Sequence, residues 1–300
     1  MRNHIIKSYF DKSRLLTLKN ANYIKHFTKL FDSLVDFDDV KSDITSRILS
    51  FGLKRGIAKI IFNESGLLAG MEEIKYYIEK RTEIKFINEL QDGSKINKGI
   101  CICELHGSLQ EILKYERLIL NVLQRLSGIA TQTNKLVTKS FSMRIAATRK
   151  THWGWLDKKA VSIGGGLTHR LSLADGILVK DNHIDLLSKE RKKAIKMILD
   201  SCRGKLIEIE VESSDEAIFA LDEWHYLYAL KPIIIMLDNF SIQDANKTIM
   251  KIKSNNIVIE LSGGINKQNI AKYKQTEADV ISIGALTHSA TALDMSLQFA

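Results

Sequence analysis

The sequence predicts an α/β protein in which an N-terminal α+β region leads into repeated βα units that close as a short or incomplete barrel. Three observations carry this reading. Beyond residue 140, six short apolar runs alternate with polar stretches of helical period. Residues from about 22 to 112 instead mix helical periodicity with isolated strand-like runs. Cations and acids also collect at the ends of the later apolar runs, where an α/β barrel presents side chains to a ligand. A doubly wound open sheet is the rival architecture.

Along the first half, 57–62 reads as a strand followed by a turn near 63–66, 72–81 as a helix and 98–104 as a second strand. A long helical stretch covers 108–139, with a break expected at Ser127-Gly128 because glycine is a poor helix former. The barrel strands are expected over 143–147, 176–179, 206–211, 233–237, 257–261 and 280–283. Helices fill the intervals over 157–162, 189–200, 214–221, 242–254 and 267–273. Six clear strands, or seven, leave an eight-stranded barrel incomplete.

Composition narrows the class. The chain has 300 residues, 45% hydrophobic and 26% charged, enough for two domains or a barrel with an added domain. A net charge of +9 suits anionic partners without selecting nucleic acid, a membrane surface or small anions. No run approaches the roughly 18 apolar residues of a membrane span, and the N-terminus does not read as a secretory signal. Cys101, Cys103 and Cys202 form no paired zinc pattern and read as reduced thiols of a cytoplasmic protein.

The stretch 148–183 is the richest in chemistry. It sets Arg149, Lys150, His169, Arg170, Lys180 and His183 around Gly164-Gly165-Gly166. Several cations gathered this way suit a small, multiply charged anion. The glycines read equally as backbone packing. In 206–211, strand parity puts Glu208 and Glu210 on the face opposite Ile207, Ile209 and Val211, so both glutamates point into the barrel. The same parity turns Lys180 inward, and Glu260 away from Ile257, Ile259 and Leu261. An ion-pair network inside the barrel and a functional site are both open for Glu208 and Glu260.

Two turns near the C-terminus read as anion cradles. The run 258–261 enters Ser262-Gly263-Gly264 and then a helix, and 280–283 enters Gly284-Ala285. Glycines there let backbone N–H groups approach a phosphate, and a following helix N-terminus adds favourable partial charge. Asp238 ends an apolar strand and, with Glu210, offers two hard oxygen ligands suited to Mg²⁺ on a pyrophosphate.

Taken in order, these motifs resemble one family. They are Glu116-Arg117 with Asn121, QRLSGIATQT at 124–133, TRKT at 148–151, GGGLTHRLSLAD at 164–175, KDNH at 180–183, EIEVE at 208–212, MLDNFS at 236–241, LSGGI at 261–265 and DVISIGALTHSATALDMSL at 279–297. SDIT at 42–45 and ESGLLAG at 64–70 are weaker echoes. The set resembles quinolinate phosphoribosyltransferase. The resemblance implies an N-terminal α/β sandwich followed by an incomplete, six- or seven-stranded α/β barrel. The domains expected are 1–115, including an extra N-terminal helix, 116–290 for the barrel, and 291–300 packing back on the N-terminal domain.

The implied reaction joins quinolinate to phosphoribosyl pyrophosphate, giving nicotinate mononucleotide, pyrophosphate and CO₂ for NAD synthesis. The implied quinolinate pocket is Arg149, Lys150, His169, Arg170 and Lys180, with Thr148 also implied to bind substrate. Glu210 and Asp238 match acids near the ribose and Mg²⁺, and Ser262, Gly263, Gly264, Gly284 and Ala285 match the 5-phosphate cradle. Lys150, Lys180, Glu210 and Asp238 form the implied catalytic set. Arg117 is implied to reach a neighbour's pocket in a homodimer with shared active sites, with a hexamer of such dimers left open. No nucleic acid or membrane partner is implied.

The chain departs from the family in two places. His152-Trp153-Gly154-Trp155-Leu156 stands where a Thr-Pro-Gly-x-Arg run is usual, and Trp224-His225-Tyr226 lengthens the connection between Glu210 and Asp238. The first change motivates an alternative, a sibling phosphoribosyltransferase acting on nicotinate or another planar acid. An RNA-binding protein is a second rival, supported by the charge alone.

Overall fold

Isoleucine, valine and leucine runs too apolar for one-sided burial set the second half of this chain as parallel strands covered on both faces. The computed structural model describes residues 1–48, 54–140 and 143–300. In chain order the helices are α1 (Arg2–Phe10), α2 (Ala21–Phe37), α3 (Ile44–Ile48), α4 (Met71–Glu79), α5 (Leu109–Ser140), α6 (Trp155–Ile163), α7 (Asp181–Leu187), α8 (Arg191–Ser201), α9 (Ser214–Tyr228), α10 (Ile242–Ile252) and α11 (Ala285–His288). The strands are β1 (Arg55–Phe62), β2 (Gly66–Leu67), β3 (Lys85–Ile87), β4 (Lys95–Ile96), β5 (Cys101–Ser108), β6 (Arg144–Ala146), β7 (Ile177–Val179), β8 (Ile207–Val211), β9 (Ile233–Asp238), β10 (Ile257–Ser262), β11 (Val280–Ser282) and β12 (Met295–Phe299).

The chain divides into two units. One comprises Met1–Lys12, Lys135–Lys150 and Gly166–Ala285; the other comprises Ser13–Asn134, Thr151–Gly165 and Leu286–Ala300. The second unit holds an antiparallel sheet of order β12-β1-β5-β3 and the small β2-β4 pair. Its α2 buries Tyr23, Phe27 and Phe31 at i, i+4 and i+8, one helical face.

The first unit holds a parallel sheet of order β6-β11-β10-β9-β8-β7. All six expected strands are present, and the sheet is barrel-like but not closed. Where a seventh strand would begin, only Leu167 pairs in parallel with Ala146, through Leu167 N–H to the Ile145 carbonyl (2.7 Å) and Ala147 N–H to the Leu167 carbonyl (2.9 Å). Below the sheet, Ile5, Ile6, Tyr9 and Phe10 of α1 meet Ala146, Ile234, Val258 and Val280 in one apolar cluster.

Two expectations are corrected. Helix α5 runs unbroken through Ser127 and Gly128. These residues are small because chain comes close, not because the helix stops: Ser127 Oγ accepts from Ala69 N–H at 3.0 Å, and a Cβ on Gly128 would lie 2.0 Å from the Thr291 carbonyl oxygen. The α-helix expected over 267–273 is a 3₁₀ turn, Ile270–Gln275. Asn266 Oδ1 takes the N–H groups of Gln268 and Asn269, and Asn269 Oδ1 takes that of Asn266, so side chains compete with the first α-turn.

Candidate active site

Parallel register delivers the predicted residues to one end of the first unit. Leu178 pairs with Glu208 and Val179 with Ile209, which brings Lys180 beside Glu210. Ser262 lies opposite Asp238, and Ser282 opposite Ala146. The C-terminal ends of the strands therefore carry Thr148, Arg149 and Lys150 after β6, Lys180 after β7, Glu210 in β8, Asp238 ending β9, Ser262-Gly263-Gly264 from β10, and Gly284-Ala285 after β11. This is the end at which barrel enzymes place their ligands. Arg117 belongs to the other unit. It lies on α5, exposed, with its guanidinium 2.9 Å from Glu116.

Lys180 is the N-cap of α7, and its backbone N–H donates to His183 Nδ1 at 2.9 Å, which accounts for the lysine–histidine spacing of KDNH. Its ammonium donates to Glu210 Oε2 at 2.7 Å. Partial burial pulls the Lys180 pKa down, but that hydrogen bond and the charges of Glu210, Asp238 and Asp181 outweigh it and hold the ammonium above its ordinary range. Burial raises the Glu210 carboxyl, Lys180 opposes the rise, and Asp238 and Asp181 add to it. Lys180, Glu210 and Asp238 thus form one electrostatic group. Thr148 is half-buried, Arg149 and Lys150 are exposed, and Lys150 N–H donates to Thr148 Oγ1 at 3.2 Å.

His169 and Arg170 are buried beneath this rim. Asp175 Oδ2 closes the following turn by accepting from the N–H groups of Leu171 and Ser172. His169 Nε2 lies 2.9 Å from Glu208 Oε2, and Glu260 is fully buried close by. Burial pushes Glu208 up to about 7; burial, and then the charge of Glu208, hold Glu260 well above the carboxylate range. Burial thus favours the protonated form at both glutamates. Among the described residues, His169, Glu208 and Glu260 also bring three ligand atoms within 4.8 Å of one another, as do Glu72, Glu73 and Asp92. The second trio is met by the Lys159 ammonium, 3.2 Å from Glu72 and 4.0 Å from Glu73.

The phosphate cradle differs from expectation in one respect. No α-helix follows Gly264 directly, so the turn lacks the partial charge of a helix N-terminus. Gly263 has φ +93°, and a Cβ there would lie 2.3 Å from Asn239 Oδ1. Gly264 has φ +58° and open space around it. Asn239 N–H donates to the Ser262 carbonyl at 3.0 Å, and the Asn266 and Asn269 amides donate to the Gly264 carbonyl at 3.2 and 2.9 Å. Among the described residues, the Gly263 and Gly264 N–H groups donate to no protein acceptor.

The departures from family pattern are structural. In the second unit, Asp157 Oδ2 accepts from the N–H groups of His152 (3.0 Å) and Trp153 (3.1 Å) while Arg125 grips Asp157 through two bonds of 3.0 and 2.8 Å. Arg125 also lies over the Trp153 ring, and Trp155 stacks on His26 at 5.2 Å. Burial lowers the His26 pKa, keeping its Nε2 neutral to accept from Trp155 N–H. Gly164 serves packing, since a Cβ would lie 2.4 Å from the Ala130 carbonyl oxygen. Trp224 is fully buried, its indole donating to the Lys231 carbonyl at 2.9 Å.

Motif spacing did not point to Tyr9, Phe10, Asn239 or Asp157 as supports. Only Ile5, Ile6, Tyr9 and Phe10 carried a signal, an i, i+1, i+4, i+5 apolar face in a polar N-terminus.

Comparison with known proteins agrees with this arrangement. The family model for the quinolinate phosphoribosyl transferase N-terminal domain matches residues 43–127, and that for the C-terminal domain matches residues 129–298. A probable nicotinate-nucleotide pyrophosphorylase (carboxylating) of Methanocaldococcus jannaschii is 39% identical over 284 residues, covering 90% of this chain and 95% of the relative. One from Methanothermobacter thermautotrophicus is 36% identical over 267 residues, covering 85% and 92%. The solved nicotinate-nucleotide pyrophosphorylase of Francisella tularensis superposes with a TM-score of 0.81 at 32% identity, covering 92% of this chain and 97% of that one. The chain belongs to the quinolinate phosphoribosyltransferase family.

Proposed function

We propose that this protein transfers the phosphoribosyl group of phosphoribosyl pyrophosphate to quinolinate and decarboxylates the product to nicotinate mononucleotide, as a step of NAD synthesis. The carrying observation is the Lys180–Glu210–Asp238 group at the same strand ends as the 148–150 cations and the Gly263-Gly264 turn. Quinolinate brings two carboxylates, and Arg149, Lys150, His169, Arg170 and Lys180 are the cations to meet them, arginine bidentately. Its ring nitrogen is a nucleophile at neutral pH, so no general base is assigned.

The nitrogen bonds to C1 of the ribose as the C1–oxygen bond to pyrophosphate breaks. Glu210 and Asp238 stabilise the positive charge that develops on the ribose, a preorganised electrostatic effect. The resulting pyridinium is an electron sink beside the 2-carboxylate. The C–C bond to that carboxylate then breaks, CO₂ leaves, and the electron pair left on the ring takes up a proton. Ser262, Gly263, Gly264, Gly284 and Ala285 hold the 5-phosphate.

The donor chemistry at Glu210 and Asp238 fits Mg²⁺. Both are oxygen ligands, and their mutual repulsion is what a dication relieves. Bound there, it would offset the charge of the leaving pyrophosphate. We assign Arg117 to a neighbouring subunit's site in a homodimer. Its exposed guanidinium supports that assignment. No helix among the described residues is long and apolar enough to cross a membrane. The three cysteines are free thiols, as a reducing cytoplasm keeps them.

The test is pyrophosphate and CO₂ release by purified protein with quinolinate, phosphoribosyl pyrophosphate and Mg²⁺, run beside nicotinate. Stoichiometric CO₂ and pyrophosphate with quinolinate are expected. Nucleotide formation from nicotinate, with none from quinolinate, would establish the sibling reaction instead.

A further inference from the structure

Helix α1 lies outside both family-matched segments, which begin at residue 43, yet it is built into the unit of parallel strands. A helix that only covered the sheet would need its apolar face alone. This one ends on the segment carrying His169 and Arg170. The Phe10 carbonyl accepts from His169 N–H at 2.7 Å and from the Thr168 hydroxyl at 3.3 Å, and Lys12 N–H donates back to Thr168 Oγ1 at 2.7 Å. The Phe10 ring stacks on the His169 imidazole with centroids 5.2 Å apart and planes 23° from parallel.

Tyr9 adds a second tie. Its hydroxyl donates to the Ile177 carbonyl at 2.9 Å, while Arg170 Nη1 donates to the Gly176 carbonyl at 3.1 Å. Helix and loop are thereby fastened to the start of the same edge strand, β7. Gly176 is shaped for this contact: a Cβ would lie 2.7 Å from Tyr9 Cε2, and its backbone is not in the left-handed region. His169 itself has φ +54°, a left-handed conformation that a non-glycine residue keeps only when its surroundings impose it.

We propose that helix α1 is a positioning element for the cationic pocket, with Tyr9 and Phe10 setting the backbone from which His169 and Arg170 meet the substrate carboxylates. The inference rests on the assignment of those two residues to the quinolinate pocket.

The experiment compares Phe10→Ala, Tyr9→Phe and Gly176→Ala with Ile6→Ala, a loss of packing on the same helix away from His169. Thermal midpoints and both Michaelis constants are measured for each. Phe10→Ala and Gly176→Ala should raise KM for quinolinate about tenfold and leave KM for phosphoribosyl pyrophosphate within about twofold. Ile6→Ala should lower the midpoint and move neither constant, and Phe10→Leu should recover most of the loss. Constants that move together, or no further than in Ile6→Ala, overturn the proposal. If Phe10→Ala does not fold, Gly176→Ala and Tyr9→Phe decide by the same criterion. Arg170→Ala separates the two layers. An unchanged quinolinate KM in that variant removes the pocket assignment and the proposal with it. A raised one, with Tyr9, Phe10 and Gly176 variants unaffected, removes only the role of α1.

Discussion

Replacing Lys180 by alanine tests the electrostatic group at the strand ends most directly. The substitution removes a bond of 2.7 Å to Glu210, whose side chain is only 6% exposed, while Lys180 itself is 46% exposed. Truncating one partner of a desolvated charge pair costs about 2–5 kcal/mol, much of it the penalty of leaving the other charge unpaired. Solvent screening at the half-open lysine sets the expectation at the lower end, about 2 kcal/mol. That corresponds to roughly a 30-fold loss of kcat/KM for quinolinate. The assay is steady-state kinetics at saturating phosphoribosyl pyrophosphate, with circular dichroism to establish folding. Because one hydrogen bond joins the pair, the losses in Lys180→Ala and Glu210→Ala should not add in the double variant. Near-normal turnover in folded Lys180→Ala, or strict additivity, would refute the reasoning.

Gly264→Ala should retain the fold with a small fall in thermal midpoint, since its φ of +58° strains an alanine although no atom lies within 4 Å of the added Cβ, yet raise KM for phosphoribosyl pyrophosphate severalfold; Gly263→Ala should lower the midpoint further, because its Cβ also meets Asn239. An unchanged constant in Gly264→Ala would remove the turn from the phosphate site. Glu73 is buried, and desolvation followed by the charge of Asp92 pushes its carboxyl up to about 7. A raised folded-state value stabilises fully below the unfolded pKa near 4.5 and loses that contribution as pH rises through about 7. The thermal midpoint should therefore fall more from pH 6 to pH 8.5 in the parent than in Glu73→Gln, and parallel curves would refute it. If sites are shared between subunits, inactive Arg117→Ala and Lys150→Ala proteins should recover activity when re-equilibrated together. Heterodimers seen by mass spectrometry without recovery would place both residues in one subunit's site.

The alternation of strands and helices was legible because most parallel strands here are short β-branched apolar runs, too short for a buried helix, with polar stretches on either side. The rim was legible for the same reason: where an apolar run ends in Lys180 or Asp238, the strand end is the only place the charge can sit. Supports drawn from distant sequence were not legible. Nothing in the sequence around Gly263 announces Asn239, and nothing in THWGW announces His26 or Arg125. The expected break in α5 failed because glycine has two meanings. At Gly128 the helix keeps its hydrogen bonds and the missing side chain admits the backbone of Thr291.

Glu208 and Glu210 show where pattern reasoning stops. They stand two residues apart on one strand, so parity gives both the same face. Depth then separates them. Glu210 lies at the rim, where the Lys180 ammonium opposes the rise that burial imposes on its carboxyl. Glu208, one pleat period deeper, lies fully buried with His169 and Glu260, and burial raises its carboxyl. About 7 Å of strand thus divides a carboxyl bonded to a lysine from one buried beside a second carboxyl. Alternation fixes which way a side chain points. Whether it reaches water is set by what closes the far end of the sheet, and in this chain that is α1, a helix with no counterpart in the motifs that identify the family.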